Sequence, residues 1–182
     1  KYGVRDENGR LSDEKLKSLA EIEQVKMFEI KLSQGGTGAA PQPLLDYVGL
    51  PLKESLPLLV NMLEKYSLRE QVKVIASGKL ITPSKVAWAL AVGADFIVSA
   101  RGNMFALGCI QALQCNKNTC PTGITTHNPK LQQGLDVQDK AQRVANYNKY
   151  IHYGVGLIAH SCGVNEPREL RRDHVRIVTE NG

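Results

Sequence analysis

The chain has 182 residues, of which 42% are hydrophobic and 23% charged, and its formal net charge is +5. This composition is that of a soluble globular domain large enough to bury a core, and it excludes a disordered chain. Since the sequence has no apolar run of about eighteen residues and residues 1–5 lack a signal-peptide core, we expect a cytoplasmic protein without a membrane span. Arginines crowd the C-terminus without aromatic residues, which favours a solvated or anion-contacting surface over nucleic-acid binding; they are Arg168, Arg171, Arg172 and Arg176.

Hydrophobic periodicity predicts helices and strands that alternate along the chain. Three segments with an apolar stripe are predicted to be helical: 11–24, 54–66 and 138–160. Three segments are predicted to be strands: 25–32 from its mostly alternating pattern, 72–77 from its β-branched run, and 95–100. A fourth helix starts at Thr82-Pro83-Ser84, a capping hydroxyl followed by proline, and ends at Gly93. Short turns are expected over 43–48 and 167–171, and an edge strand over 174–178.

The strand, helix and strand between residues 72 and 100 predict a βαβ unit with parallel strands. Both strands are expected to end in small residues and glycine, at Ser77-Gly78 and at Ala100-Arg101-Gly102. Ligands of α/β folds bind at the carboxyl ends of strands, where main-chain N–H groups hold phosphates. Gly78 and Gly102 are therefore candidates for phosphate binding, with Arg101 adding charge. The alternative is a pair of tight turns without a ligand.

A glycine-rich segment, G-G-T-G, occupies residues 35–38. Glycine allows a backbone to approach a ligand closely or to adopt a positive φ. The segment is neither a P-loop nor a G-x-G-x-x-G fingerprint. On these residues alone, a structural loop and a ligand loop are equally compatible with the sequence.

Three of the four cysteines, Cys109, Cys115 and Cys120, are spaced C-x5-C-x4-C, in a segment expected to be helical before Cys115 and loop-like after it. In a reducing compartment clustered cysteines favour metal binding over a disulfide. Structural cysteines, a zinc site with His127 as the fourth ligand, and a 3Fe-4S cluster with three thiolate ligands remain open. Cys162 lies outside this motif and is expected to be a small buried residue.

Residues 108–123, G-C-I-Q-A-L-Q-C-N-K-N-T-C-P-T-G, closely resemble the 3Fe-4S motif of the glutamate synthase family, in its FMN-binding synthase domain. The resemblance extends to E-I-K-L-S-Q-G (29–35), G-G-T-G-A-A-P (35–41), S-G-K-L (77–80), G-A-D-F (93–96) and T-H-N-P (126–129). It covers nearly the whole chain, and it is greatest for single-chain relatives that lack a fused glutaminase domain.

The resemblance implies an α/β fold, an eight-stranded (β/α)8 TIM-type barrel that carries FMN beside the cluster. The implied reaction is the reductive amination of 2-oxoglutarate to L-glutamate with ammonia, which a glutaminase subunit can supply from glutamine. The implied electron donor is ferredoxin or an NAD(P)H-dependent reductase subunit. A non-catalytic fragment that binds an iron–sulfur cluster or zinc is the alternative function.

Family roles carried over by position imply three sets of site residues. The implied cluster ligands are Cys109, Cys115 and Cys120. The implied flavin-phosphate residues are Ser77, Gly78, Lys79, Ala100, Arg101 and Gly102. Residues implied near the flavin ring are Gly36, Thr37 and Gly38, with Lys31 and Gln34 as catalytic residues.

One departure from the family pattern concerns residues 34–37, where E-I-K-L-S-Q-G runs directly into G-G-T-G-A-A-P. In the family an A-K-P-G loop and further strands separate these motifs, and the lysine of that loop is absent here. Since a complete barrel needs eight strands and at least about 200 residues, we expect the C-terminal part of a barrel with an internal gap. The expected parts are a partial barrel (1–107), a cluster loop (108–136), and a C-terminal helix and tail (137–182).

Overall fold

Three parallel strands form the sheet on which the described part of the molecule is built. The computed structural model describes residues 27–31 and 50–176. Its strands are β1 (Met27–Lys31), β2 (Lys73–Ser77) and β3 (Phe96–Val98). β2 lies between the other two, and both pairings are parallel. The first two predicted strands and the parallel βαβ unit are thus confirmed, and the described part of the chain is an α/β fold.

Five α-helices accompany the sheet in the described residues. They are α1 (Leu52–Lys65), α2 (Pro83–Val92), α3 (Ala100–Ala106), α4 (Pro129–Gln132) and α5 (Val137–Ser161). The helices predicted over 54–66, from Pro83 to Gly93, and over 138–160 are confirmed to within two residues at either end. The helix predicted over 11–24 and the turn predicted over 43–48 lie outside the described residues.

The core lies between β2 and helices α1, α2 and α5. The apolar stripe of α1 is buried at Leu52, Leu56, Val60 and Leu63. Val74 at the centre of β2 has no exposed surface. Burying one Leu or Val side chain stabilises a fold by about 1.5–3 kcal/mol, so this stripe accounts for much of the attachment of α1. Cys162 is partly buried against the same core, close to its expected role.

A glycine in the middle of α5 fixes how closely this long helix docks on α2. A Cβ on Gly154 would lie 2.5 Å from the Cγ atom of Pro83, the first residue of α2. Such a distance is shorter than van der Waals contact, so only glycine lets the two helices approach this closely. The helix is continuous through Gly154 and Gly156, because packing outweighs the low helix propensity of glycine.

Arginine side chains attach the segment after α5 to α1, to the end of α2 and to Asp95, which precedes β3. Arg172 donates through Nε to the Val92 carbonyl at 3.3 Å and through Nη1 to Asn61 Oδ1. Arg168 Nη1 donates to the Asp95 carbonyl at 3.3 Å. The two arginines also line a groove of about 280 Å³. Both arginines are exposed, as the predicted solvated surface requires, and their guanidinium groups also contact protein acceptors.

The prediction of an edge strand over 174–178 is wrong at its first residue, which is not in a strand. His174 ends a 3-10 turn, Arg172–His174, and the N–H of Arg171 donates to His174 Nδ1 at 3.0 Å. This side-chain acceptor closes the turn and prevents an extended backbone there. Residues beyond 176 lie outside the described residues. The turn predicted over 167–171 is confirmed as a 3-10 turn, Pro167–Glu169.

Candidate cofactor site

The carboxyl ends of the three strands bring part of the predicted site together. In the sheet register Lys31 of β1 pairs with Ser77 of β2, and Ser77 pairs with Val98 of β3. The backbone of Lys31, the predicted catalytic lysine, therefore lies level with that of Ser77, the first residue of the predicted phosphate segment. Four further predicted residues lie outside the described residues: Gln34, Gly36, Thr37 and Gly38.

The loop after β2 holds three of the predicted phosphate-binding residues. Ser77 is buried and Gly78 is half-buried, whereas Lys79 is exposed and has a left-handed backbone with φ of 53°. A Cβ on Gly78 would lie 2.9 Å from Leu52 Cβ, so the absence of a side chain lets α1 approach this loop. Packing alone therefore explains the glycine, and the phosphate interpretation depends on main-chain donors and on Lys79.

Residues 100–102 lie in the first turn of α3, which corrects the strand predicted over 95–100. β3 ends at Val98 because Ser99, with φ of −112° and ψ of 59°, leaves the extended conformation. The first N–H groups of a helix have no intrahelical acceptor. No side chain of the described residues caps α3, so main-chain donors lie in this turn beside the half-buried Arg101.

Two hydroxyl groups join the loop after β2 to the turn after β3. Ser99 Oγ donates to the Leu80 carbonyl at 2.6 Å and lies 2.7 Å from the Tyr147 hydroxyl. The Tyr147 hydroxyl also donates to the Ile81 carbonyl at 3.3 Å. A Cβ on Gly102 would overlap the Tyr147 hydroxyl, so the absence of a side chain there lets α5 pack against α3.

Sequence reasoning identified neither Ser99 nor Tyr147 as site residues. The polar Ser99 directly after the apolar run 96–98 is a signal that could have found the first. Tyr147 was assigned to the apolar face of the long helix, and the sequence holds no sign that its hydroxyl reaches loops about fifty to seventy positions away.

These residues fit a phosphate group by their chemistry. The turn after β3 supplies main-chain N–H donors, and positive side chains stand on both segments, Lys79 on one and Arg101 on the other. Main-chain donors together with positive charge are what phosphate sites of α/β proteins use. The side-chain positions of Gly78 and Gly102 are taken by protein atoms, so a phosphate would be held by the backbone and the two cations.

Cys109 is positioned by the end of α3. Gly108, with φ of 98°, terminates the helix; its N–H donates to Phe105 O at 2.9 Å, and the N–H of Cys109 donates to Met104 O at 3.0 Å. This pair of bonds is a Schellman motif, which requires the left-handed conformation that glycine adopts readily. The chain is therefore not helical up to Cys115, as the sequence had suggested, but leaves the helix before Cys109.

Residues 118–132 form a framework around Cys120. Thr126 Oγ1 donates to the Asn118 carbonyl at 2.7 Å, and Gln132 Nε2 donates to the Thr126 carbonyl at 2.7 Å. A Cβ on Gly123 would lie 2.5 Å from the Leu131 carbonyl oxygen, so α4 packs directly on the loop backbone. Cys120 is buried in this framework, whereas Cys109 and Cys115 are half-buried.

The thiol of Cys120 has an acidic pKa. Burial raises it, but hydrogen bonds to the sulfur, foremost from Thr122, outweigh burial and lower the pKa from 9.0 to about 6. Thr122 Oγ1 lies 3.2 Å from Cys120 Sγ. Since donors to a sulfur stabilise its charged form, they favour the thiolate of Cys120, the form that ligates metals.

The three cysteine thiols of the loop are the type of ligand that an iron–sulfur cluster requires, but the loop does not bring the three together. All three cysteines are free thiols. Within residues 27–31 and 50–176, no three His, Cys, Asp or Glu side chains converge as metal ligands, and His127 completes no zinc site. Gln111 and Leu113 have positive φ, 56° and 55°, a costly conformation for residues with a side chain.

Comparison with known proteins places the chain in a family. Residues 11–165 match the conserved region in glutamate synthase. The chain belongs to the glutamate synthase family. The match covers the candidate phosphate segments, the cysteine loop and most of α5, and it confirms the resemblance carried by the sequence motifs.

Among the relatives is the glutamate synthase large subunit-like protein YerD of Bacillus subtilis, 49% identical over 150 residues. The archaeal glutamate synthase (NADPH) of Methanocaldococcus jannaschii is 35% identical over 150 residues. The glutamate synthase (NADPH) large chain of Azospirillum brasilense is 35% identical over 101 residues, 56% of this chain and 7% of that one. The matches cover 82% and 81% of this chain for the first two relatives, and 29% of the length of each.

In the described residues, no helix combines the length and the apolar character that crossing a lipid bilayer requires.

Proposed function

We propose that this chain is the flavin-phosphate and iron–sulfur part of a glutamate synthase-type oxidoreductase that converts 2-oxoglutarate to L-glutamate. The observation that carries the proposal is the row of Lys31, Ser77 and Val98 at the carboxyl edge of a parallel sheet. Family membership supports it, since relatives are named NADPH glutamate synthases. When bound, FMN supplies the hydride that reduces the imine of 2-oxoglutarate and ammonia, and a 3Fe-4S cluster supplies electrons from ferredoxin or an NAD(P)H-dependent reductase.

The phosphate of FMN would be held by the two segments that Ser99 joins. Main-chain N–H groups of residues 100–102 donate to it, and the charges of Lys79 and Arg101 offset its negative charge. Ser77 begins the first of these segments. Lys31 would bind an anionic substrate or hold a proton at the same carboxyl edge of the sheet, with Gln34 and the glycine-rich segment 36–38 near the flavin ring.

The described sheet would be part of a (β/α)8 barrel whose other strands lie outside residues 27–31 and 50–176. β3 supports this proposal, because it is an edge strand whose Phe96 and Val98 are 45% and 38% exposed. An exposed apolar edge strand normally pairs with or is covered by another element. The three proposed parts are the partial barrel over 1–107, the cluster loop over 108–136, and the helix and tail over 137–182.

Cys109, Cys115 and Cys120 would be the ligands of the cluster. Cys120 lies within the hydrogen-bonded framework over 118–132, and its thiolate form is stabilised by hydrogen bonds to its sulfur. The two half-buried cysteines stand on the part of the loop with positive φ at Gln111 and Leu113. Because the three thiols do not converge in the described residues, binding one cluster would require the loop backbone to change conformation.

The test is an anaerobic purification of the 182-residue chain, followed by its visible spectrum and by analysis of iron, sulfide, zinc and flavin. Flavin bands together with about three irons per chain are expected. Iron or zinc without flavin would instead favour the non-catalytic cluster- or zinc-binding fragment. A colourless, metal-free and flavin-free protein would refute both functions.

Replacing Cys115 by serine tests the ligand assignment. We expect Cys115→Ser to lose the iron and sulfide while flavin stays bound, because Cys115 belongs to the cysteine loop and not to the phosphate segments. Cys162→Ser is the matched control, since Cys162 is also half-buried but packs against the core outside the loop. Full iron content in Cys115→Ser, or equal loss in both variants, would contradict the assignment.

A further inference from the structure

The hydroxyl of Tyr147 lies where three elements meet. It is 2.7 Å from Ser99 Oγ, at the end of β3, and 3.3 Å from the Ile81 carbonyl, in the loop after β2. Tyr147 itself belongs to α5, and it is the residue whose hydroxyl occupies the space beside Gly102. One side chain thus contacts both of the segments proposed to hold the flavin phosphate.

The protons of this cluster can be assigned from its acceptors. A serine or tyrosine hydroxyl carries a single proton, and a carbonyl oxygen can only accept. Ser99 gives its proton to the Leu80 carbonyl at 2.6 Å. Since the Ser99 proton is used, the 2.7 Å contact requires Tyr147 to donate to Ser99 Oγ, and the Ile81 carbonyl at 3.3 Å is a second, longer acceptor for the same proton. The hydrogen bonds therefore run in one direction, from Tyr147 through Ser99 to Leu80.

A second contact on α5 keeps Tyr147 aimed at this place. Gly154 follows seven positions, or two helical turns, after Tyr147, and it lies against Pro83 at the start of α2. The helix is thus anchored on the same side at both positions. Because Gly102 has no side chain, the phenol reaches the backbone of α3 directly, and a movement of α5 would move both segments.

We propose that Tyr147 is a positioning residue for the flavin phosphate: its hydroxyl holds residues 77–82 and 99–102 at the separation that lets both contribute to one phosphate. The inference rests on the proposed function. A phosphate that accepts bonds from two segments is sensitive to their spacing. A flavin without the phosphate makes no use of these donors, so its affinity does not depend on Tyr147.

The test compares FMN with riboflavin, which differ by the phosphate alone. Both are titrated into the 182-residue chain and into its Tyr147→Phe variant, with flavin fluorescence as the readout. The loss of one hydrogen bond of about 0.5–1.5 kcal/mol predicts FMN binding weaker by about 2- to 13-fold and unchanged riboflavin binding. Tyr150→Phe is the matched control, since Tyr150 is on the same helix and 60% exposed.

Ser99→Ala provides a second route to the same result. It removes the hydroxyl between Tyr147 and the Leu80 carbonyl, so we expect a similar loss for FMN alone. The double variant should lose little more than either single one, because both changes break one chain of bonds. This variant also keeps the proposal testable if Tyr147→Phe fails to fold.

Two kinds of failure are distinguishable. If the unmodified chain binds FMN no better than riboflavin, the flavin-phosphate site itself is refuted, and the role of Tyr147 falls with it. If the unmodified chain prefers FMN and the variants keep that preference, only the positioning role is overturned. An equal loss for both flavins would likewise overturn it, because it would show a general packing effect.

Discussion

Two glycines two positions apart in α5 allow the docking of this helix to be tested with a matched pair of variants. Gly156→Ala places a Cβ where no atom lies within 4 Å. Gly154→Ala places one 2.5 Å from Pro83 Cγ and 2.7 Å from Pro83 Cβ. Both variants gain helix propensity of about 0.8–1 kcal/mol, but only the second overpacks a contact, at a cost of about 1–3 kcal/mol. The proline ring is closed onto the backbone and cannot rotate away.

We therefore expect Gly156→Ala to raise the free energy of unfolding by about 0.8–1 kcal/mol, and Gly154→Ala to leave it roughly unchanged or lower it by up to about 2 kcal/mol. The two variants should differ by about 1–3 kcal/mol, or roughly 2–12 °C in Tm for a chain of this size. Urea unfolding followed by far-UV circular dichroism measures this difference. Equal stabilisation by both substitutions would refute the contact between α5 and Pro83.

Leu56→Ala should lower the free energy of unfolding by about 2–5 kcal/mol, because Leu56 is 2% exposed in the core. Leu58 is 50% exposed on the same helix, so Leu58→Ala should change the free energy of unfolding by less than about 0.5 kcal/mol. Similar losses for both variants in urea unfolding would contradict the assigned face of α1. In metal-free protein, the thiolate absorbance of Cys120 is the part that Cys120→Ser lacks, and it should titrate with a midpoint near pH 6. Thr122→Val should move this midpoint upward, because it removes a hydrogen bond to the sulfur. The pKa of Cys120 is lower in the folded chain than in the unfolded chain. Ionisation of Cys120 therefore stabilises the fold fully above about pH 9, and this contribution is lost as the pH falls towards 6. A midpoint near 9 would contradict the hydrogen-bond assignment.

The elements that sequence reasoning predicted well are those whose signals are local. Pro83 at the start of α2 and Gly93 at its end mark a helix within a few residues. The apolar stripe of α1 and the β-branched run of β2 each follow one period over their whole length. The cysteine motif and the strand ends also identified the family, because their order along the chain is distinctive.

What sequence reasoning missed depends on contacts between distant segments. β3 stops at Val98 because Ser99 bonds to the Leu80 carbonyl, nineteen positions earlier. Tyr147 contributes through a hydroxyl that reaches Ile81, sixty-six positions away. No periodicity encodes which carbonyl a side chain will meet, so these roles require the fold.

The contacts of Arg172 with α1 and with the end of α2 form late during synthesis of the chain. Arg172 bonds to the Val92 carbonyl, 80 positions earlier, and to Asn61, 111 positions earlier. At a synthesis rate of about 5–20 residues per second, roughly 6–22 seconds pass between the appearance of Asn61 and that of Arg172. During translation α1 and α2 are therefore complete while the acceptors that Arg172 will satisfy still face solvent. The contacts of Arg172 form only after residue 172 has emerged from the ribosome, and a nascent chain stalled before residue 172 should be open to proteases and chaperones at this end.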